Sequence, residues 1–399
     1  MVVQQNANRG RHLVFVGGTS EPGGLHIHMA DVAQACADLG LRVTIVCTSV
    51  DFFSGLISDD RVRIVRVPPL EGQAPRRWLM TWARILRTCA GGDFVFCRGR
   101  FAETRLADLA VARLLGRRVY TIEHRPWEGA WPSRLSKTIV GWLSGLLTHR
   151  SIGVSSEIVE AASREFSFPA RKLALCQNWI APSFKPPSDS ERAAARAAAR
   201  VPHGRLVVGY LGRLAPEKRV DALLRAFAAL PRGLDALLLV GGDGWKRQSL
   251  VELVAVLGVT DRVRFTGWTA DPRAFFAACD LVVLPSLVEG FPLALMEALA
   301  AGCLCIAHPM SSTRELIEDG FNGILADLAD PAHFAAVLTA TLETDRQRRD
   351  AMGARAAETL ASRFSRERRL PALLSALDCP IGSSALPPMR ARELSFEVK

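Results

Sequence analysis

The sequence predicts an α/β protein of two doubly wound, parallel-sheet domains facing a cleft. Three observations predict it. The chain has 399 residues, and single domains run to roughly 100–200. Short, continuously apolar strand patterns alternate with helical ones, which marks a parallel sheet covered on both faces. The alternation then stops, passes through a stretch of different composition and restarts at Leu206.

In the first half, His12–Gly17 (HLVFVG) is a short apolar run ending at glycine. A helix is expected from His26 to Leu39, with Met29, Val32, Ala33, Cys36 and Leu39 on one side and Gly40 at its stop. Strands follow at Arg42–Cys47, Val62–Val67, Phe94–Cys97 and Arg118–Ile122. The stretch 184–205 holds Pro186, Pro187 and the Ala/Arg-rich run Glu191–Arg200, and reads as a linker with a short exposed helix. The second half offers strands at Leu206 (LVVGYLG), Ala236–Val240, Val263–Phe265, Leu281–Leu284 and Leu304–Ala307, then helix from Pro331 to Leu377. The expected division is 1–183, a linker at 184–205, a second domain at 206–378 and a loosely ordered tail at 379–399.

Composition excludes some classes. Hydrophobic residues are 49% of the chain and charged residues 23%, which supports two buried cores and argues against general disorder. A formal charge of +10 favours anionic partners without choosing among nucleotides, lipid surfaces and nucleic acid. The nine cysteines include no CxxC pair, so reduced thiols in a cytoplasmic protein are expected. The polar start MVVQQNANRG carries no signal-peptide pattern. The apolar run Thr138–Leu147 is about half the ~20 residues of a membrane span.

The strongest chemical signal is Pro285–Glu297 (PSLVEGFPLALME), which follows a strand and opens a helix. Gly290 suits a tight turn and Pro292 a first helical position. The free N–H groups of a helix start welcome an anion. Glu289 at that mouth is a good acceptor for sugar hydroxyls, and Glu297, two turns on, for ribose hydroxyls. A plain surface loop with acids suited to the helix dipole is the competing account.

Here the chain resembles family 4 of the retaining glycosyltransferases, which have the two-domain, Rossmann-like GT-B fold. Its signature E-G-F-x-x-x-x-x-E is intact at Glu289 and Glu297. The resemblance runs from the glycine loop at Gly17 to the helix after Asp330. It implies a hexosyl transferase using a nucleoside-diphosphate sugar, with Gly290, Phe291, Leu293 and Glu297 binding the donor.

The stretch Gly212-Arg213-Leu214-Ala215-Pro216-Glu217-Lys218 directly follows the strand VVGYL. Two cations beyond a strand end suit a pyrophosphate leaving group, on which charge builds as the glycosidic bond breaks. A solvated basic loop is the alternative. The resemblance assigns the leaving-group role to Arg213 and Lys218, and places Gly212 beside the donor.

The loop Gly17–Gly24 is neither a GxGxxG fingerprint nor a phosphate-binding GK[ST] loop. Its glycines allow close backbone approach to a phosphate or sugar, and Gly24 is the matching residue of the family's loop. Thr121-Ile122-Glu123-His124 ends a strand. A lone histidine is more often structural, but the family has one at this strand end, which makes His124 a candidate for orienting the sugar. Gly242, in Gly241-Gly242-Asp243-Gly244, and Trp268, in Phe265-Thr266-Gly267-Trp268, fall where the family holds nucleotide and base. Trp179 replaces a glycine of the family's pattern, and nothing catalytic follows from it.

No DxD motif stands at a strand end, so neither a metal nor another cofactor is expected. The resemblance implies retention of anomeric configuration, by front-face attack. The expected acceptor is a glycan or lipid-linked saccharide of the cell envelope. Arg76–Arg87 (RRWLMTWARILR) places Trp78, Leu79, Trp82, Ile85 and Leu86 on one face and Arg76, Arg77, Arg84 and Arg87 on the other. It reads equally as a helix docking on an anionic membrane, peripheral to the inner face, or as a sheet-covering helix. For Leu135, Ile139, Trp142, Leu143 and Leu146, core packing is expected. Two competing functions are a sugar-nucleotide epimerase of the same architecture and a nucleic-acid binder. The second lacks any RNA-binding module pattern, and no nucleic-acid partner is expected.

Overall fold

The computed structural model describes residues 11–17, 23–57, 59–70, 73–89, 91–99, 106–114, 117–125, 133–231, 233–269 and 271–379. They form two compact units. Unit 1 takes the described residues up to Trp179 and those from Arg366 onward, and unit 2 is Ile180–Ser365.

Unit 1 holds a seven-stranded sheet of β1 (His12–Gly17), β2 (Arg42–Cys47), β3 (Val62–Arg66), β4 (Asp93–Arg98), β5 (Val119–Glu123), β6 (Arg150–Gly153) and β7 (Leu173–Leu175). The order is β3-β2-β1-β4-β5-β6-β7, with every pairing parallel. Strand order reverses between β1 and β4, the place where doubly wound sheets open a crevice at their carboxyl ends. Helices α1 (Gly24–Asp38), α2 (Val50–Leu56), α3 (Pro75–Thr88), α4 (Leu106–Leu114), α5 (Arg134–Leu147) and α6 (Ser156–Arg164) connect the strands. All six residues of β1 are buried, as its unbroken apolar run requires.

Unit 2 repeats the plan with α7 (Asp189–Ala198), β8 (Leu206–Leu211), α8 (Val220–Ala228), β9 (Ala236–Gly241), α9 (Arg247–Val256), β10 (Val263–Gly267), α10 (Pro272–Ala278), β11 (Leu281–Leu284), α11 (Leu293–Ala300), β12 (Leu304–Ala307), α12 (Ser311–Leu316) and β13 (Ile324–Leu325). Its parallel sheet runs β10-β9-β8-β11-β12-β13, so the reversal lies between β8 and β11. Helices α13 (Pro331–Glu343) and α14 (Arg346–Arg363) complete it, and α15 (Arg366–Ala376) returns to unit 1. Among the described residues no helix is long and apolar enough to cross a membrane.

Three expectations need correction. The division at 206–378 gave α15 to the second domain, whereas the structure builds it into unit 1. Leu370, Leu373 and Leu374 are buried there, Arg366 Nη2 lies 3.1 Å from Asp38 Oδ2, and Tyr120 donates to Asp378 Oδ2 at 2.9 Å. Cys379, assigned to the loose tail, is buried, and the tail from residue 380 lies outside the described residues. The expected linker helix is α7, built into unit 2. A Ser188/Glu191 capping box starts it, and Arg192 and Arg196 both bind Asp280.

The third correction concerns two helices of one layer. Apart from the exposed Leu79, the α3 stripe covers the sheet: Trp82 and Ile85 are buried, and the indole N–H groups of Trp78 and Trp82 both donate to Asp108 Oδ1 at 2.7 Å. The α5 stripe, expected in the core, faces outward. Leu135 is 68% exposed, Ile139 46%, Trp142 53% and Leu146 52%. The buried side of α5 carries Gly141, Ser144 and Gly145 instead. A Cβ at Gly141 would stand 1.8 Å from Phe166 O, and one at Gly145 2.4 Å from Pro169 Cδ. At these two positions the Phe166 backbone and the Pro169 ring lie so close that no side chain fits, and the apolar stripe falls on the solvent side.

Candidate functional site

In unit 2 the predicted residues gather at the carboxyl ends of the strands, around the β8/β11 reversal. The loop after β8 carries Gly212, Arg213 and Lys218, and the loop after β11 carries Glu289 and Gly290. Lys218 Nζ donates to Glu289 Oε1 at 2.5 Å across 71 positions of sequence. Arg213 Nη2 reaches Glu217 Oε1 at 3.1 Å, with its side chain 39% exposed. Tyr210, at the end of β8, donates to the Arg213 carbonyl at 3.0 Å. Ser312 Oγ donates to the Glu289 carbonyl at 3.2 Å and so anchors the second loop to α12. Both cations are thus held by carboxylates at one strand-end edge.

Main chain alone sews the neighbouring loops together. Gly212 N donates to Gly241 O at 3.1 Å, Leu214 N to Asp243 O at 2.9 Å and Gly242 N to Gly267 O at 2.6 Å. At Gly242, φ is +108°, and a Cβ would stand 2.0 Å from Gly212 O. That contact excludes any side chain there. The turn expected at Gly290 is made without a positive φ, which falls instead on Gly242, Gly244 and Gly267. Arg219 also sits at φ +51°, a costly place for a non-glycine residue. Its guanidinium donates to Leu328 O at 2.8 Å and holds the turn that ends in Lys218.

Helix α11 begins at Leu293 after Pro292, with no side-chain cap and no acid in its first turn. Its opening N–H groups are therefore not taken by a capping side chain. Glu297 lies part-buried on the second turn. Phe291, expected at the donor, is buried and packs on Phe364 with ring centroids 5.7 Å apart, so what it offers the loop is backbone. Trp268, just after Gly267, is exposed.

In unit 1 the predicted residues meet a neutral environment. Gly24 opens α1, and residues 18–22 of the glycine loop lie outside the described residues. His124 follows β5 and its backbone N–H donates to Arg98 O at 2.9 Å. Its ring packs on His28 at 5.1 Å, and His28 packs on Trp179 at 5.1 Å. Burial holds His28 down to about 3. Burial first, then the neighbouring His28 and His26, holds His124 well below the ordinary histidine range. Both rings are therefore neutral near pH 7, each with one N–H donor and one acceptor nitrogen.

Two family descriptions match the chain: "Glycosyltransferase Family 4" over residues 22–184 and "Glycosyl transferases group 1" over residues 191–359. The chain belongs to family 4 of the glycosyltransferases. A D-inositol 3-phosphate glycosyltransferase of Salinispora tropica is 38% identical to this family 4 chain over 206 residues, covering 47% of it and 42% of the relative. The lipopolysaccharide core biosynthesis glycosyltransferase LpsE of Rhizobium meliloti is 36% identical over 171 residues, covering 43% and 49%. The chain thus spans less than half the length of each of these curated relatives. Among solved structures, Anabaena HepE in complex with UDP and glucose superposes with a TM-score of 0.77 at 22% identity, covering 92% of this chain and 99% of that one. WaaG, a glycosyltransferase involved in lipopolysaccharide biosynthesis, gives 0.72 at 18%, covering 93% and 100%. At these identities the structures show the GT-B fold alone.

Sequence reasoning missed several residues of this family 4 chain. Arg98 and Glu123 form a buried ion pair at the ends of β4 and β5, with Arg98 Nε 3.0 Å from Glu123 Oε1. Ser151 adds a hydrogen bond to the same oxygen at 3.2 Å. The pair holds the strand end from which His124 projects. Its only signal was a charge closing each of two apolar runs. His28 and Trp179 gave no local signal, because their stacking joins distant segments. His308, after β12, accepts from Leu328 N at Nδ1 (3.2 Å), which leaves the proton on Nε2 when the ring is neutral.

Proposed function

We propose that this chain transfers a hexosyl group from a nucleoside-diphosphate sugar to a hydroxyl of a glycan or lipid-linked saccharide of the cell envelope. The observation that supports this most is the Lys218–Glu289 contact beside Arg213 at the β8/β11 reversal, next to the uncapped start of α11. Such an edge offers a diphosphate two cations and free backbone N–H groups, and offers sugar hydroxyls a carboxylate. A UDP-sugar is the first donor to test, because the HepE structure was solved with UDP and glucose.

The proposed reaction retains configuration and uses no metal. The acceptor oxygen attacks the anomeric carbon on the face from which the diphosphate departs. The bond from that carbon to phosphate oxygen breaks, its electron pair stays on the phosphate, and that oxygen takes the acceptor proton. Arg213 and Lys218 neutralise the charge that develops there. Neutral His124 orients a sugar hydroxyl. The reading places the enzyme in the cytoplasm, peripheral to the inner face of the plasma membrane.

A thermal-shift panel of UDP-, GDP- and ADP-sugars tests the donor, since a ligand bound only by the folded state raises the melting temperature. No shift with any of them overturns the reading. The product anomer by NMR tests retention, and full activity in excess chelator tests metal independence. Epimer or free sugar formed from donor alone would point to a different enzyme.

A further inference from the structure

We infer that the α3–α4–α5 layer of unit 1 is a docking face for an anionic membrane, with α5 lying in the interface. It deepens the lipid-linked reading of the acceptor and rests on that reading for its purpose. Its physical basis is separate.

Helix α5 has inverted amphipathicity. Leu135, Ile139, Trp142 and Leu146 recur at the 3.6-residue period and form one exposed stripe. The inward side is Gly141, Ser144 and Gly145, pressed against the Phe166–Pro169 segment. Val140 and Leu147 pack partly against the protein, but a helix that turns four large apolar residues to water while Gly141, Ser144 and Gly145 face the protein is arranged for a second apolar medium. The stripe is not displaced core, because the close contacts of Gly141 with the Phe166 backbone and of Gly145 with the Pro169 ring leave it no room to turn inward.

Charge selects the occupant. Arg76, Arg77, Arg84 and Arg87 on α3, Arg113 on α4 and Arg134 on α5 are all exposed. The only carboxylate within the three helices is Asp108, which is buried and accepts from both α3 indoles. Lys137 is held by Glu165 at 3.0 Å. Exposed Leu79 and Met80 add apolar surface among the arginines of α3. Apolar side chains with a tryptophan, interspersed with arginines on three helices that carry no exposed acid of their own, match the boundary between acyl chains and anionic headgroups. A protein partner or second copy of this +10 chain would have to meet the uncompensated arginines.

Flotation of the full chain with phosphatidylcholine vesicles, with and without phosphatidylglycerol, tests the proposal. Binding is expected only to the anionic vesicles and should weaken with salt. Charge removal by Arg76→Gln and Arg77→Gln should weaken it roughly fivefold each. The double variant Ile139→Ser/Trp142→Ser changes exposed residues only and should lower binding more than tenfold. Donor-induced thermal shift should survive in every variant, which separates failure of the docking face from failure of the glycosyl-transfer reading. Equal binding to neutral vesicles, or no loss in the α5 variant, overturns the proposal. So does a dimer that light scattering detects and that Trp142→Ser abolishes.

Discussion

The two units share a strand order but finish it with opposite chemistry. In unit 2 the edge around the reversal is charged and tied by exposed or half-buried side chains, Lys218 on Glu289 and Arg213 on Glu217. In unit 1 the corresponding edge is built on buried neutral rings, with His124 on His28 on Trp179, beside the sealed Arg98–Glu123 pair and next to the half-buried Arg125. Topology decides where a site stands. The side chains at the strand ends decide what it does. Unit 2 is equipped to stabilise charge, and unit 1 to orient neutral groups.

The largest test of that contrast is catalytic. Arg213→Ala and Lys218→Ala should each lower kcat by about two to three orders of magnitude in a folded protein. His124→Ala should cost about fivefold, the worth of one neutral hydrogen bond. Equal losses in steady-state assays would break the comparison.

Next come the loops. Gly242→Ala, with φ at +108° and its Cβ aimed at Gly212 O, should destabilise unit 2 by more than about 2 kcal/mol in denaturant unfolding. Gly23, before α1, has extended backbone at φ −170°, and a Cβ added there would meet nothing within 4 Å. Gly23→Ala should stay within about 0.5 kcal/mol. Reversal of this ranking would mean that unit 1, not unit 2, has the tighter backbone at its edge.

Acid sharpens the difference further. His28 stays neutral in the folded protein down to about 3. The unfolded chain takes up its proton near pH 6.5. Between those values the unfolded state binds the extra proton, so stability falls as pH drops, by about 1.4 kcal/mol per pH unit for this group. His124 shifts in the same direction and adds to the slope. Melting temperatures from pH 7 to pH 5 should fall, and His28→Phe should flatten the curve. An unchanged slope in that variant would remove His28 from the account.

Much of this was legible in the sequence. The continuous apolar runs of β1, β2, β8, β9 and β11 named their strands, because a strand buried on both faces has no alternation to blur. Helix α3 and helix α5 were less legible. Periodicity shows that a helix has an apolar face, but not which side of the helix the protein occupies. Gly141 and Gly145 were visible as interruptions of an apolar run, yet their meaning as the buried face depends on the segment at Phe166–Pro169. For the same reason α15 read as a helix without revealing which unit it completes.

From the sequence alone followed two parallel-sheet units, the strand-end loops and the charged residue types they carry, since each is written in contiguous stretches under local steric and hydrophobic rules. Only the tertiary structure decided that Lys218 meets Glu289, that His124 is neutral behind His28, and that Trp142 faces water. Those outcomes depend on contacts and burial among segments far apart in the chain, and no local pattern carries that information.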